Sequence, residues 1–128
     1  MSAETAAVRT PIPAWIVRLF ATIDARDARR FVEFIARDGA FHFANAPAAV
    51  GREAIHGMVD GFFQAIAGLQ HELREAFVLP GRVACHGTVT YTRHDGTRLA
   101  VPFATIFAME GELIRDYRIF MDASALFA

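Results

Sequence analysis

Residues 82–96, RVACHGTVTYTRHDG, alternate almost without fault. Val83, Cys85, Val89 and Tyr91 fall on one side of an extended chain, and His86, Thr88, Thr90 and Thr92 on the other. A period of two marks a half-buried strand. Asp95-Gly96 supplies the two-residue turn that closes a hairpin. The sheet extends from here in both directions. Upstream, Pro80-Gly81 turns the chain back to a strand over 70–79. Downstream, 97–109 returns, Glu110-Gly111-Glu112 turns again, and 113–121 makes the last strand. The expectation is a four-strand antiparallel meander.

Before residue 68 the period is helical. Trp15, Ile16, Leu19, Phe20 and Ile23 share one stripe from Pro13 onward. Asp27 can N-cap a short second helix with Phe31, Phe34 and Ile35 on its apolar face, ended by Gly39. A short strand is expected at Ala40–Ala44, then a loop, NAPAAVG. A third helix runs from Arg52 to Ala67 with Ile55, Val59, Phe62, Phe63 and Ile66 inward, and Gly68 stops it. Residues 1–12 read as a mobile arm and 13–128 as one domain. Helices followed by a meander make an α+β plan, with the helices on one face of the sheet.

The strand over 97–109 is apolar on both faces. Leu99, Val101, Phe103, Phe107 and Met109 point one way; Ala100, Pro102, Ala104, Ile106 and Ala108 point the other. The helices can cover only one of these faces. The expected cover for the second is another copy of the chain, giving a homodimer through the outer sheet face. Pro102 cannot donate to the ladder, so a bulge or bend is expected there.

Composition removes several classes. The net charge is −1 and no basic block exists, so the electrostatic footprint of a nucleic-acid binder is missing. The single cysteine, Cys85, suits a reducing compartment, and the first residues lack the apolar core of a secretory signal. No apolar run approaches the roughly 18 residues of a membrane span. A cytoplasmic protein without membrane contact is expected. Hydrophobic residues make up 54% of the 128, with 12 phenylalanines. The core is large for the length, or apolar surface is hidden by a ligand or partner.

The element order, with DGAFHF (38–43), VGREAI (50–55), YTRHDG (91–96) and GELIRDYRIFMD (111–122) in place, resembles the nuclear transport factor 2-like superfamily, and within it the SnoaL-like branch. The resemblance covers about Trp15 to Leu126. It implies a cone-shaped curved antiparallel sheet closed by three N-terminal helices, a nuclear transport factor 2-like or cystatin-like plan, holding a pocket. Its members include ketosteroid isomerases, limonene-epoxide hydrolases, polyketide cyclases and non-catalytic binding or dimerisation modules, so fold does not settle function. The isomerase residues do not carry over: Leu19 stands where a tyrosine is needed, Ala44 where the base aspartate sits, and Thr105 at the second aspartate. The hydrolase set fails likewise at Gly87, Val89 and Ile119.

Alternation on the meander points Val89, Tyr91, Phe103, Thr105 and Phe107 toward the pocket, with Tyr117, Ile119 and Met121 on the last strand. Such a lining suits a small hydrophobic molecule held by a few directed hydrogen bonds. It equally suits a filled core. His42, between Phe41 and Phe43, is expected to face the cone as a general base, with Tyr117, Thr105 or Asn45 orienting an oxygen. A core imidazole, or an outward one after a one-residue slip, is the competing reading. SnoaL-like chains often carry an acid near Asp122, at the cone's rim, although strand parity favours a turn role. His71, Glu75, His86 and the Arg115–Asp116 pair read as solvated surface. No histidine or carboxylate spacing completes a metal set, so neither metal nor cofactor is expected. Three functions follow: a cofactor-free isomerase, cyclase or hydratase; a ligand-binding module without chemistry; or a dimerisation module with a filled cone.

Overall fold

The computed structural model describes residues 11–127, and most of the expected arm lies outside them. Helix α1 (Ala14–Asp24) buries Ile16, Leu19, Phe20 and Ile23, the stripe read from the sequence. Helix α2 (Ala28–Val32) is capped by the Asp27 carboxylate, which accepts the Arg30 N–H at 3.1 Å. It ends earlier than the apolar spacing suggests. Phe34 and Ile35 do not continue it, because Ile35 already opens strand β1 (Ile35–Phe43). The Phe34 carbonyl accepts the Ile114 N–H at 2.9 Å, so the sheet takes the backbone that a longer helix would have used. Gly39 is therefore no helix terminator. It sits at an irregularity in β1, where an added Cβ would come within 2.6 Å of the Ile35 side chain.

The expected loop contains a two-residue strand, β2 (Ala49–Val50), paired antiparallel to β1. Helix α3 (Arg52–Ala65) buries Ile55, Val59 and Phe63; it stops before Gly68, which begins β3 (Gly68–Leu79). The remaining strands are β4 (Arg82–Thr92), β5 (Arg98–Glu110) and β6 (Leu113–Phe120). They form a six-stranded sheet of order β2-β1-β6-β5-β4-β3, with β1 parallel to β6 and every other pair antiparallel. Strand β4 buries every second residue from Val83 to Tyr91. Its partner β5 buries Phe103, Thr105 and Phe107.

No bulge occurs at Pro102. It pairs with Thr88 in unbroken β4–β5 register, and β6 reaches β5 only from Ala104 onward. The β5 edge is unpaired at Pro102, so a residue without an N–H interrupts no rung on that side. The register shift in β5–β6 falls instead between Ala108 and Met109.

The core joins the inner faces of the helices to one face of the sheet. Phe31, Phe41, Phe107 and Tyr117 pack tilted or edge-on, with ring centroids 4.9–5.7 Å apart. Such pairs add about 0.5–1.5 kcal/mol each beyond area burial. The opposite face keeps Ile106 38% and Phe120 52% exposed in the single chain.

Candidate functional site

Between the sheet and the helices lies a cavity of about 80 Å3. Its wall is almost wholly apolar, with Phe20 and Phe31 from the helices, Phe41 and Phe43 from β1, and Phe62 and Phe63 from α3. The polar groups on it are few: His71, Tyr91, Thr105 and Tyr117. Burial pushes the Tyr91 and Tyr117 phenols upward; Tyr117 sits well above its usual value, aided by neighbouring Cys85 and Tyr91. Both therefore stay protonated and act as hydroxyl donors. Cys85 is pushed up to about 12 by burial, which leaves it an inert thiol.

His71 was expected at the surface, and it stands on the cavity wall instead, its side chain 9% exposed. The cause is local to β3. Leu69, His71 and Leu73 pair with Tyr91, Val89 and Gly87 on the inner face. Between Leu73 and Glu75 the register shifts, leaving Arg74 as an extra residue, and beyond it Ala76 is the inward side chain. Without that bulge, the register that buries Ala76 would turn Gln70, Glu72 and Arg74 inward and put His71 outside. Gly87 makes the bulge possible. A Cβ there would lie 1.9 Å from the Glu72 carbonyl oxygen.

The last residue of α1 completes the pair. The imidazole Nδ1–H of His71 donates to Asp24 Oδ1 at 2.6 Å, and the His71 backbone N–H donates to Asp24 Oδ2 at 3.1 Å. A carboxylate accepts only, so this contact puts the proton of a neutral ring on Nδ1 and leaves Nε2 with a free lone pair. Phe20 and Phe103 flank the ring edge-on, with centroids 4.8 and 5.1 Å away. Arg26, at φ 55°, braces the turn after Asp24 by donating to the carbonyls of Phe63 at 3.4 Å and Ile66 at 3.1 Å. The arrangement is an oriented imidazole on the wall of an apolar chamber that also carries hydroxyl groups. The alternation of Leu69, His71 and Leu73 was the signal for it in the sequence. Asp24, 47 residues earlier, carried none.

His42 is corrected in the opposite sense. Phe41 and Phe43 line the cavity, so the imidazole between them lies on the outer face. There its Nε2–H donates to Asp116 Oδ1 at 2.9 Å, and Arg118 donates to Asp116 Oδ2 at 2.6 Å. Partial burial alone would raise the Asp116 carboxyl; the hydrogen bonds from Arg118 and His42 bring it below its usual value. Among the other expected residues, Val89, Tyr91, Phe103 and Thr105 line the cavity, as do Tyr117, Ile119 and Met121. Phe107 does not; it is buried against Trp15, with centroids 5.4 Å apart. Asn45 and Asp122 lie outside the cavity, on an open cleft next to it. Asp122 Oδ1 accepts the Ser124 N–H at 3.0 Å, a turn role. His86 is on the outer face, bonded to Glu75 at 2.8 Å. Among the described residues no group of histidine, cysteine and carboxylate is placed to hold a metal ion. No helix among them is long and apolar enough to cross a membrane.

Solved structures with this fold are many. A proposed SnoaL-like polyketide cyclase from Jannaschia sp. CCS1 superposes with a TM-score of 0.78 at 19% identity, covering 94% of each chain. TerC, co-crystallised with polyporic acid, gives 0.78 at 18% identity, over 88% of this chain and 92% of that one. A hypothetical protein of Catenulispora acidiphila DSM 44928 with a ketosteroid isomerase-like fold, in complex with trimethylamine, gives 0.80 at 20% identity over 86% of each. At these identities the likeness is one of fold. No curated protein matches the sequence. The SnoaL-like domain model matches residues 16–117, most of the chain from α1 through Tyr117 on β6. This α+β chain therefore belongs to the SnoaL-like domain family.

Proposed function

We propose that the chain is a cofactor-free acid–base enzyme of the isomerase, cyclase or hydratase kind, acting on a hydrophobic carbonyl compound in the cavity. One observation carries this: His71, oriented by Asp24 at 2.6 Å, stands on the wall of an otherwise apolar chamber. Nε2 takes a proton from the carbon next to the substrate carbonyl. The imidazolium that forms is held by the Asp24 carboxylate, which fixes the tautomer and compensates the new charge. The enolate oxygen receives a hydrogen bond from Tyr91 or Tyr117, both kept protonated by burial. The same proton removal opens an isomerisation, an elimination of water or a ring closure. The relatives named as proposed polyketide cyclases support the last of these.

The test is α-proton exchange of phenylacetone in deuterium oxide, followed by proton NMR. Wild type accelerates exchange, and His71→Gln loses about 10²–10⁴-fold of that acceleration, the usual contribution of a positioned base. Equal rates for wild type and His71→Gln would remove the enzyme reading. A binding module without chemistry is the second reading. It is favoured by the lack of any carboxylate among the described residues of the cavity wall.

We also propose that the outer face of the sheet pairs with a second copy. Ile106 and Phe120 are large, apolar and bare there, and Ala104, paired with Phe120, keeps the surface beside them low enough for close approach.

A further inference from the structure

The cavity shares part of its wall with a second space. Phe43 and Met121 line the cavity on one side and, on the other, an open cleft of about 500 Å3. The cleft is built by the residues that follow β1 and β6. After Phe43 the chain turns at Ala44, whose φ is 51°, and the Ala46 N–H donates back to the Phe43 carbonyl at 2.9 Å. That turn brings Asn45 to the cleft, opposite Asp122 and Ser124.

The partition is made of adjustable parts. Met121 is unbranched and only partly buried, and its sulfur takes one weak hydrogen bond, from the Tyr91 hydroxyl at 3.6 Å. Phe43 leans on Phe62 with centroids 5.3 Å apart, and Phe62 in turn touches Phe127, which is 63% exposed. The polar groups differ across this wall. Inside are aromatic rings, the His71 imidazole and protonated hydroxyls. Outside, beside Phe120 and three alanines, are an amide, a serine and the Asp122 carboxylate, which hydrogen bonds from the Ser124 hydroxyl and N–H hold below its usual range. Among the described residues no lysine or arginine lines the cleft.

We propose that cavity and cleft are two halves of one ligand site, gated by Phe43 and Met121. In it, the apolar end of the ligand lies beside His71 and a hydrogen-bond-donating amine end lies at Asp122 and Asn45. This rests on the cavity reading above and extends it to a substrate class: an elongated molecule with a compact apolar head and a cationic tail. The cavity alone is too small for such a molecule, while the two spaces together match an ordinary ligand pocket. Asn45 and Asp122 then take part in recognition and not in proton transfer.

Calorimetric titration with 4-phenylbutylamine, 4-phenyl-1-butanol and 4-phenylbutyrate tests it, since the three share a head and a spacer. The amine is expected to bind tightest and the butyrate weakest. Asp122→Asn should weaken the amine by about 2- to 5-fold, the worth of an exposed charge pair, and leave the alcohol unchanged. Met121→Trp, if its melting temperature matches wild type, should abolish binding of all three by sealing the gate. Should that variant fail to fold, a crystal structure of the wild-type amine complex replaces it, with the phenyl ring expected beside His71 and the ammonium at Asp122. Equal binding of amine and butyrate, a uniform loss on Asp122→Asn, unchanged binding to a folded Met121→Trp, or an ammonium away from Asp122 would each overturn the two-part site. Binding of the heads without tail preference would leave the cavity reading standing; binding of none of the three would remove both.

Discussion

Two histidines in this molecule each bond an aspartate at short range, and they lie on opposite faces of the same sheet. His71 meets Asp24 at 2.6 Å and His42 meets Asp116 at 2.9 Å. By distance they are nearly twins. Their carboxylates are exposed alike, at 28% and 25%, and the surroundings of the rings differ. The His71 ring is flanked by Phe20 and Phe103 on a cavity wall, and its carboxylate receives hydrogen bonds from His71 twice, ring and backbone. The His42 side chain is 26% exposed, and its carboxylate is shared with a guanidinium. In the single chain water screens the outer pair, so its worth there is that of a surface ion pair. In the inner pair the Asp24 carboxylate is 28% exposed, but the imidazole itself stands on an apolar wall, where a proton moved onto Nε2 matters to whatever occupies the cavity. The same two side chains make a candidate base in one setting and an outer-face brace in the other.

The sharpest way to break this contrast is to remove each imidazole in turn. His71→Gln is expected to lose about 10²–10⁴-fold in proton-exchange rate, and His42→Gln to keep the wild-type rate. A similar loss in both, measured by the same exchange, would make the outer pair part of the chemistry. The next largest effect concerns what covers the outer face. Ile106→Lys places a charge in the proposed dimer contact, and sedimentation should show association weakened by about 2–5 kcal/mol. If wild type itself sediments as a monomer at micromolar concentration, the outer pair is open to water as it stands.

Third comes the device that turns His71 inward. Gly87→Ala drives a methyl into the Glu72 carbonyl, so the bulge must shift. A loss of about 1–3 kcal/mol is expected in chemical denaturation, with a fall in exchange rate beyond it. Stability lost with the rate intact would show that the bulge does not position the base. The smallest effect is electrostatic. The Asp116 carboxyl is depressed in the folded state, so its contribution is complete above the unfolded value near 4 and is lost as pH falls through the lower folded value. Asp116→Asn should therefore be less stable than wild type at pH 6, by about 0.2–1 kcal/mol, and the gap should close as pH falls through the lowered folded value. A gap that stays constant with pH would mean that packing, not charge, is lost.

The meander was legible because alternation is a local property. Val83 to Tyr91 and Phe103 to Phe107 alternate with residues of the opposite kind, and one buried face fixes their parity. The stripe of α1 and the Asp27 cap are local in the same way. The parity of β1 was not legible. DGAFHF carries apolar residues on both sides of His42, and the boundary with α2 was misplaced because Phe34 and Ile35 fit a helix stripe as well as a strand start. Only the pairing of Ile35 with Ile114 and Phe41 with Tyr117 resolves them.

The site was decided still further from any local pattern. A one-residue bulge opposite Gly87 chooses whether His71 or Glu72 faces Val89, and one residue is the whole difference between an inner and an outer face. The end of α1 then supplies Asp24 to the edge strand β3, across 47 residues of chain. Sequence by itself determined the meander and the stripe of α1, since their periods are written in neighbouring residues. Tertiary structure alone determined which histidine stands on the cavity wall, because that depends on register and on a helix end meeting a strand, neither of which any short window contains.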